Sequence, residues 1–259
     1  MTIECIDLTV SVNGRVLIGD LNLQLSPGAF VCMLGPNGVG KTLTLHTLAG
    51  LREISAGSVR LNGNALGDMD RTSIARHLGL LMQSQDDVFP TTVLETALMG
   101  RHPWLDFWSW ETQQDTEIAQ QALAAMDLSA LSQRMAATLS GGERRRLALA
   151  TLLVQDPKVL LLDEPMNHLD PLHKLQVLTA FSALATRGKI VIASLHDPVL
   201  ASKYFDSALL MHGDGRWEFG TTAEMLTAAK LESLYGTPFQ QYRHDGQSVL
   251  LPVPPQQQA

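Results

Sequence analysis

GPNGVGKT, residues 35–42, lies between the apolar run FVCML (30–34) and the stretch TLTLHTLAG (42–50). This order predicts a buried strand, a glycine-rich loop and a helix, which together form the repeating unit of a parallel α/β fold. Glycines let backbone N–H groups wrap around phosphate oxygens, and the start of a helix adds the positive end of its dipole. A turn that only connects strand to helix is the alternative, but the full match to GxxxxGK[ST] favours phosphate binding.

The chemistry of such a loop predicts roles for its last two residues. Lys41 is expected to neutralise the β- and γ-phosphate oxygens, and Thr42 to offer its hydroxyl to Mg²⁺. The candidate nucleotide-contacting residues are Gly35, Pro36, Asn37, Gly38, Val39, Gly40, Lys41 and Thr42.

Two other apolar runs predict buried strands that end in polar residues. VLLL (159–162) is followed by Asp163 and Glu164, and KIVIASL (189–195) is followed by His196. A carboxylate at the C-terminal end of a buried strand can hold Mg²⁺ through its water shell, so Asp163 is a candidate metal ligand. Glu164 is the candidate general base, and His196 is a candidate to hold a γ-phosphate oxygen or the attacking water. A solvated acidic turn and a structural histidine are the alternatives.

The rest of the chain surrounds this core with two kinds of structure. From residue 1 to about residue 27 hydrophobic and polar residues alternate, and Asn13-Gly14 between two such runs predicts an antiparallel hairpin. Residues from about 86 to 156 have helical spacing, as in ETQQDTEIAQQALAAM (111–126) and ERRRLALATLLV (143–154). We therefore predict an α/β fold with an N-terminal antiparallel β subdomain and a helical insert.

Composition and charge narrow the classes of function. The chain has 259 residues and a formal net charge of −7, and a surface devoted to nucleic acid needs an excess of Lys and Arg, so no nucleic-acid partner is expected. Its two cysteines, Cys5 and Cys32, form no CxxC pair, which favours a reducing cytosolic compartment over a disulfide framework or a zinc site. The sequence has neither a signal-peptide pattern nor an apolar run of roughly 20 residues, so we expect any membrane role to be exercised from outside the bilayer.

Further motifs carry a family resemblance. LSGGE (139–143) resembles the signature of ABC-type ATPases. The motifs that occur in the order of an ABC nucleotide-binding domain are GPNGVGKT, Gln83 in LLMQ, LSGGE, LLLDEP (160–165), NHLD (167–170) and His196. The resemblance covers roughly residues 1–235, which we assign to one ATP-binding domain. Residues 236–259 are expected to form a C-terminal extension with a disordered tail, PPQQQA.

The resemblance implies a P-loop NTPase fold with a RecA-like core, ATP and Mg²⁺ as cofactors, and a head-to-tail dimer with a second copy of the chain. It implies that Ser140, Gly141 and Gly142 bind the ATP held by the partner copy. By the same resemblance Asp170 couples the two sites, and Gln83 reaches Mg²⁺ and links the site to the membrane subunits.

Two features depart from an ordinary pattern. Arg144, Arg145 and Arg146 put three positive charges near a helix N-terminus, against its dipole. They form either a solvated basic face or a counter-charge to the partner's triphosphate. Val12 occupies the position where members of the family usually stack the adenine on an aromatic ring, which raises a question about nucleotide preference.

The kind of transporter is also suggested by resemblance. TVLETALMGRHPW (92–104) and ESLYGTPFQQY (232–242) are similar to segments of the ATPases that drive uptake of siderophore-bound iron, haem and cobalamin. That subfamily implies two separate transmembrane permease subunits, an extracytoplasmic binding protein that acts indirectly, and a location at the cytoplasmic face of the bacterial inner membrane. The chain also contains a cluster of three tryptophans, Trp104, Trp108 and Trp110. They either pack within the helical insert or form an apolar patch that a permease helix contacts.

Three alternatives stay open at this point. An importer ATPase for another substrate, such as a metal oxyanion, would have the same motifs. A soluble ABC ATPase of translation or DNA repair is supported by NHLD, although such proteins usually carry two ATPase domains or long coiled-coil insertions. A small-molecule P-loop kinase would need the loop and the acidic strand end, but LSGGE has no role in such an enzyme.

Overall fold

The computed structural model describes residues 1–83, 90–106, 108–244 and 247–254. The helices and strands are β1 (Ile3–Val12), β2 (Arg15–Leu25), β3 (Phe30–Leu34), α1 (Lys41–Leu48), β4 (Ala56–Leu61), β5 (Asn64–Ala65), α2 (Arg71–His77), β6 (Leu78–Leu81), α3 (Val93–Leu98), α4 (Gln113–Ala125), α5 (Gly141–Gln155), β7 (Val159–Leu162), α6 (Pro171–Thr186), β8 (Ile190–Ser194), α7 (Pro198–Tyr204), β9 (Ser207–Met211), β10 (Trp217–Thr221), α8 (Thr222–Met225), α9 (Ala228–Tyr235), β11 (Phe239–His244) and β12 (Gln247–Pro252). Short 3₁₀ turns join several of them.

The N-terminal strands form an antiparallel sheet, as the alternating pattern predicted. Its strand order is β2-β1-β4-β5. Asn13 and Gly14, which join β1 to β2, have φ values of 49° and 78°. Both lie in the left-handed region, which a two-residue hairpin of type I′ requires and which Asn and Gly tolerate best.

A second sheet of six strands forms the centre of the molecule, in the order β10-β9-β3-β8-β7-β6. The strands from β9 to β6 in this order run parallel, and β10 pairs antiparallel at one edge. The parallel strands β3, β8 and β7 are direct neighbours. Their carboxyl ends meet at one edge of the sheet, and the segments that follow them contain the phosphate-loop motif, His196 and the Asp163-Glu164 pair.

The central sheet separates two hydrophobic clusters. In β3, Val31 and Met33 pack into the cluster shared with the N-terminal sheet. Phe30, Cys32 and Leu34 pack into the opposite cluster, which the helical insert and the C-terminal helices complete. Because side chains of a strand alternate between its two faces, one short apolar run supports both clusters. The α/β fold with an antiparallel subdomain is thus confirmed.

The helical insert is built from α3, α4 and α5, which pack on one another. Its predicted start near residue 86 lies outside the described residues. Trp104 packs in this region, donating its Nε1–H to the Gln155 carbonyl at 2.8 Å. Trp108 and Trp110 are 88% and 87% exposed, so packing within the insert is wrong for these two tryptophans. Both lie in the segment before α4, and neither belongs to the two hydrophobic clusters formed by the described residues.

The C-terminal extension contains the antiparallel pair β11–β12. Phe239 is buried against the main core, with its ring centroid 6.0 Å from that of Tyr235. Residues 255–259 of the predicted disordered tail lie outside the described residues. Among the helices in the described part of the chain, none is long and apolar enough to cross a membrane.

Candidate active site

The phosphate-binding loop connects β3 to α1 in the predicted way. Gly40 stands immediately before α1 with a φ of 108°, a conformation that L-residues other than glycine rarely adopt. A Cβ atom at Gly40 would lie 2.7 Å from Leu17 Cδ1, and one at Gly35 would lie 2.5 Å from the Met211 carbonyl oxygen. Both positions therefore require glycine, because the loop packs directly against β2 and the end of β9.

Lys41 lies folded over this loop. Its side chain is buried, and Nζ donates to the carbonyls of Gly35 at 2.7 Å and Pro36 at 3.2 Å. Burial lowers the pKa of Lys41, and the negative charges of Glu164 and Asp163 offset part of that effect. The lysine is a buried cation whose position next to the loop suits an anionic ligand.

Asp163 follows β7 and is fully buried. Its Oδ1 accepts a hydrogen bond from the Ser194 hydroxyl at 2.6 Å. Its Oδ2 is buried and has no hydrogen-bond partner among the described residues. A buried charged oxygen without a partner is costly, so this atom fits a site that a cation completes. The oxygen donors of Asp163, Gln83 and Thr42 are of the kind that Mg²⁺ prefers.

Glu164 is the centre of a hydrogen-bonded cluster. Gln83 Nε2 donates to its carboxylate at 3.1 Å, and His196 Nε2 and Asn167 Nδ2 donate to it as well. Burial by itself raises the pKa of the Glu164 carboxyl, but the hydrogen bond and charge of His196, the Asn167 amide and the Lys41 charge together hold it below its ordinary value. The carboxylate is therefore ionised at neutral pH and able to accept a proton.

The three predicted residues Gln83, Glu164 and His196 are thus brought together from three separate segments. A cavity of about 150 Å³ adjoins Glu164 and His196, with Asn167 and Ser194 also in its wall. Sequence reasoning assigned no role to Asn167 or Ser194. Ser194 could have been noticed as a polar residue inside the apolar run KIVIASL, and Asn167 as a residue three positions after Glu164.

The LSGGE segment forms the start of α5. Ser140 caps the helix: Glu143 N–H donates to its hydroxyl at 3.3 Å, and Ser140 N–H donates to the Glu143 carboxylate at 2.7 Å. Ser140 and Gly141 are exposed, and a Cβ atom at Gly142 would lie 3.0 Å from the His168 carbonyl oxygen. The helix N-terminus is therefore accessible to an anion, but these hydrogen bonds of Ser140 stay within α5.

Asp170 begins α6 and does not join the Glu164 cluster. Its carboxylate accepts from His173 N–H at 3.0 Å and pairs with His173 Nδ1 at 2.6 Å. The Nε2 atom of the same imidazole lies 3.8 Å from the Asp127 carboxylate. Asp170 is exposed, in the segment that faces the start of α5.

The three arginines after Glu143 differ from the predicted basic face. Arg144 is exposed and donates to the Ala137 carbonyl at 3.0 Å. Arg145 is only 7% exposed and donates to several backbone carbonyls. Arg146 is partly buried and donates to the carbonyls of Met126 and Asp127. A solvated face is therefore wrong for Arg145 and Arg146, because α5 is packed inside the molecule and carbonyl groups satisfy their guanidinium groups.

Comparison with known proteins adds independent information. The profile of the family described as ABC transporter matches residues 18–167. The hemin import ATP-binding protein HmuV of Pseudomonas entomophila is 40% identical over 225 residues, which cover 85% of this chain and 87% of that protein. The achromobactin transport ATP-binding protein CbrD of Dickeya dadantii is 34% identical over 233 residues, covering 88% of this chain and 86% of that protein.

Solved structures show the same fold. A structure described as an inward-facing conformation of a metal-chelate type ABC transporter matches with a TM-score of 0.84 and 25% identity, covering 97% of each chain. The ATP-binding subunit of another ABC transporter matches with a TM-score of 0.79 and 22% identity, covering 91% of this chain and 98% of the other.

Proposed function

The chain belongs to the ATP-binding proteins of the ABC transporter family, and from this premise we propose that it powers an importer for haem or an iron–siderophore complex. It binds nucleotide and is an ATPase that drives transport, as its family is. The observation that carries the assignment of ATP hydrolysis to this chain is the meeting of Gln83, Glu164 and His196, near which Lys41 and Asp163 are buried. Cobalamin and a metal oxyanion are the alternative substrates.

Nucleotide binding is assigned to the loop from Gly35 to Thr42. Lys41 would exchange its bonds with the Gly35 and Pro36 carbonyls for bonds with β- and γ-phosphate oxygens. Thr42, Gln83 and Asp163 would hold Mg²⁺, and the unpartnered Asp163 Oδ2 supports that assignment. Bound Mg²⁺ would supply charge neutralisation on the phosphate oxygens. Because Val12 occupies the position where the family usually has an aromatic residue, the adenine of ATP would have no aromatic ring to stack on there.

Hydrolysis is assigned to Glu164 and His196. Glu164 would accept a proton from the attacking water, because its carboxylate is ionised and is aimed by three hydrogen-bond donors. His196 would then donate its Nε2–H to a γ-phosphate oxygen and stabilise the charge that develops in the transition state.

A complete site is proposed to require a second copy of the chain. Within one chain the hydrogen bonds of Ser140 are made with Glu143, and the N-terminus of α5 with Ser140, Gly141 and Gly142 suits an anion. We assign it to the ATP of the partner copy in a head-to-tail dimer, with Asp170 coupling the sites. Members of this family work with membrane permease subunits. For this chain the proposal includes two such subunits and an extracytoplasmic binding protein that acts indirectly. It places the chain at the cytoplasmic face of the inner membrane.

The substrate proposal comes from the relatives. The compared proteins are named for hemin import and for transport of achromobactin, and the matching structure is described as metal-chelate type. We carry this chemistry to the present chain because the alignments span most of both proteins. In such a system selectivity would reside in the permease and the binding protein.

The test is ATP hydrolysis by the purified chain, alone and in proteoliposomes that contain the permease of its genomic neighbourhood. Permease and binding protein should stimulate the wild type, Glu164→Gln should lose at least a hundredfold in kcat, and haem or a ferric siderophore should accumulate inside only with ATP. Uptake of cobalamin or of an oxyanion instead would change the substrate. Full turnover without any permease would favour a soluble ABC ATPase.

A further inference from the structure

Arg145 makes an unusual set of contacts from the second turn of α5. Its Nη1 donates to the Met82 carbonyl at 2.5 Å, its Nη2 to the Glu164 carbonyl at 2.7 Å, and its Nε to the Pro165 carbonyl at 3.3 Å. The Asp163 carbonyl also accepts from Nη2. One guanidinium group therefore bonds to the carbonyls of three consecutive residues that follow β7. It also bonds to the carbonyl of Met82, the residue that precedes Gln83.

Only an arginine satisfies this geometry. Its planar group presents five N–H donors in a fixed fork, whereas a lysine presents one compact ammonium on a flexible stem. Burial lowers the pKa of Arg145 to about 10, and the negative charges of Asp163 and Glu164 act against the decrease. The side chain thus stays charged at neutral pH although little of it contacts solvent, and its partners are backbone carbonyls at the site rather than a neighbouring carboxylate.

The contacts fall where the backbone is strained. Glu164 has a φ of 47°, in the left-handed region that is unfavourable for a residue with a long side chain. Its N–H donates to the Ser194 hydroxyl at 2.8 Å, and the carbonyls of Asp163 and Glu164 both accept from Arg145. The peptide groups on both sides of the Glu164 Cα atom are therefore fixed by side chains from α5 and β8.

We propose that Arg145 is a positioning residue for hydrolysis: it holds the backbone at Glu164 and at the residue before Gln83, so that the carboxylate and the amide meet. The inference rests on the proposed function, in which Glu164 is the base. It assigns to α5 two roles within one chain, since its N-terminus would bind the ATP of the partner copy and Arg145, in its second turn, would aim the base of its own site. In this proposal Arg145 acts through the backbone at Glu164 and Gln83.

The experiment compares Arg145→Met, Arg145→Lys and Arg146→Met in the purified full-length chain. Methionine keeps the apolar stem of arginine and removes every donor. Arg146 is the matched control because it lies on the same helix and also bonds two carbonyls, those of Met126 and Asp127, away from the Glu164 cluster. For each variant kcat, KM, thermal stability and ATP affinity in EDTA are measured.

We expect Arg145→Met to lower kcat by about a hundredfold, the loss that follows when a reacting group is misplaced by about 1 Å. KM and the ATP affinity in EDTA should stay within threefold, because Lys41 and its loop do not depend on Arg145. Arg145→Lys should recover stability but less than a tenth of the lost kcat. Arg146→Met should lose comparable stability and keep kcat within twofold.

Two results would overturn the inference while leaving the proposed function intact. One is a wild-type kcat in Arg145→Met, and the other is an equal kcat loss in Arg146→Met at equal stability, which would indicate general packing of α5. A crystal structure of Arg145→Met gives a readout that needs no turnover: Glu164 should leave its left-handed conformation, and an unchanged Glu164 would contradict the inference. A wild-type chain that hydrolyses no ATP even in proteoliposomes with its permease would instead contradict the proposed function.

Discussion

Gly40 shows how strongly a single position of the phosphate-binding loop is constrained. Its φ of 108° and the distance of 2.7 Å from a built Cβ to Leu17 Cδ1 are two separate obstacles to any side chain. Gly38, in the same loop, has a φ of 75° but no atom within 4 Å of a built Cβ. The two glycines therefore separate the effect of backbone conformation from that of a steric clash.

We predict that Gly38→Ala lowers the free energy of unfolding by about 1 kcal/mol, the usual effect of a left-handed conformation. Gly40→Ala should lower it by about 1–3 kcal/mol more, because Leu17 has to move in a packed core. Urea denaturation of both variants measures the difference. Equal losses would show that β2 does not restrain the loop.

At the scale of elements, helix starts determine much of the local structure. Four helices of the described residues begin with a reciprocal capping box, in which a hydroxyl accepts from the third backbone N–H and an acidic side chain accepts from the capping N–H. The pairs are Thr92 with Glu95, Thr112 with Asp115, Ser140 with Glu143, and Thr221 with Glu224. Thr112 caps the start of α4 in the insert, whereas Ser140 caps the exposed start of α5.

Thr112→Ala and Ser140→Ala should therefore have equal effects on stability and different effects on activity. Each removes one cap, which contributes about 1 kcal/mol to the free energy of unfolding. Thr112→Ala should keep the wild-type kcat, whereas Ser140→Ala should lose at least tenfold in the ATPase rate if it contacts the partner's ATP. Denaturation and steady-state kinetics on the same samples test this. An unchanged rate in Ser140→Ala would remove Ser140 from the site.

The cap of α4 also predicts a pH dependence. The Thr112 backbone N–H and hydroxyl, together with the Arg101 guanidinium at 2.7 Å, hold the pKa of Asp115 below its ordinary value of 3.8. A carboxylate with a lowered pKa in the folded state stabilises fully above its unfolded pKa and loses that contribution as the pH falls through the folded value. Wild type should therefore exceed Asp115→Asn in stability at pH 7, and the two should converge below about pH 4. Parallel stability curves across this range would contradict the assignment.

At the scale of the whole molecule, the arrangement of two half-sites predicts association. Glu164→Gln should bind ATP without hydrolysing it and should then form a particle of twice the mass of the chain. Light scattering after gel filtration, with ATP and Mg²⁺ or with EDTA, measures the change. Adding Ser140→Ala in the same background should keep the chain monomeric. A dimer that forms without nucleotide, or that survives the loss of Ser140, would contradict the head-to-tail arrangement.

The sequence by itself determined the core of the fold and the main candidate residues. GPNGVGKT, VLLL and KIVIASL are short local patterns, and their meaning follows from neighbouring residues along the chain. Because the carboxyl ends of adjacent parallel strands meet at one edge of a sheet, the proximity of Glu164 and His196 also followed once the strands were recognised. Hairpin and helical insert were predictable for the same reason, since a period of two or of 3.6 residues is a local property.

Only the tertiary structure decided which side chains hold the residues of that site in place. Arg145 contacts carbonyls 18 to 63 residues away, and Ser194 bonds Asp163 and Glu164 across 31 and 30 residues. Nothing in the pattern RRR distinguishes a solvated arginine from one whose guanidinium is buried among backbone carbonyls. Nothing in the tryptophan cluster separates Trp104, which is 40% exposed, from its two far more exposed neighbours. Backbone carbonyls occur at every residue, so the sequence does not show which of them a side chain will reach; that depends on which strands and helices the completed fold brings together.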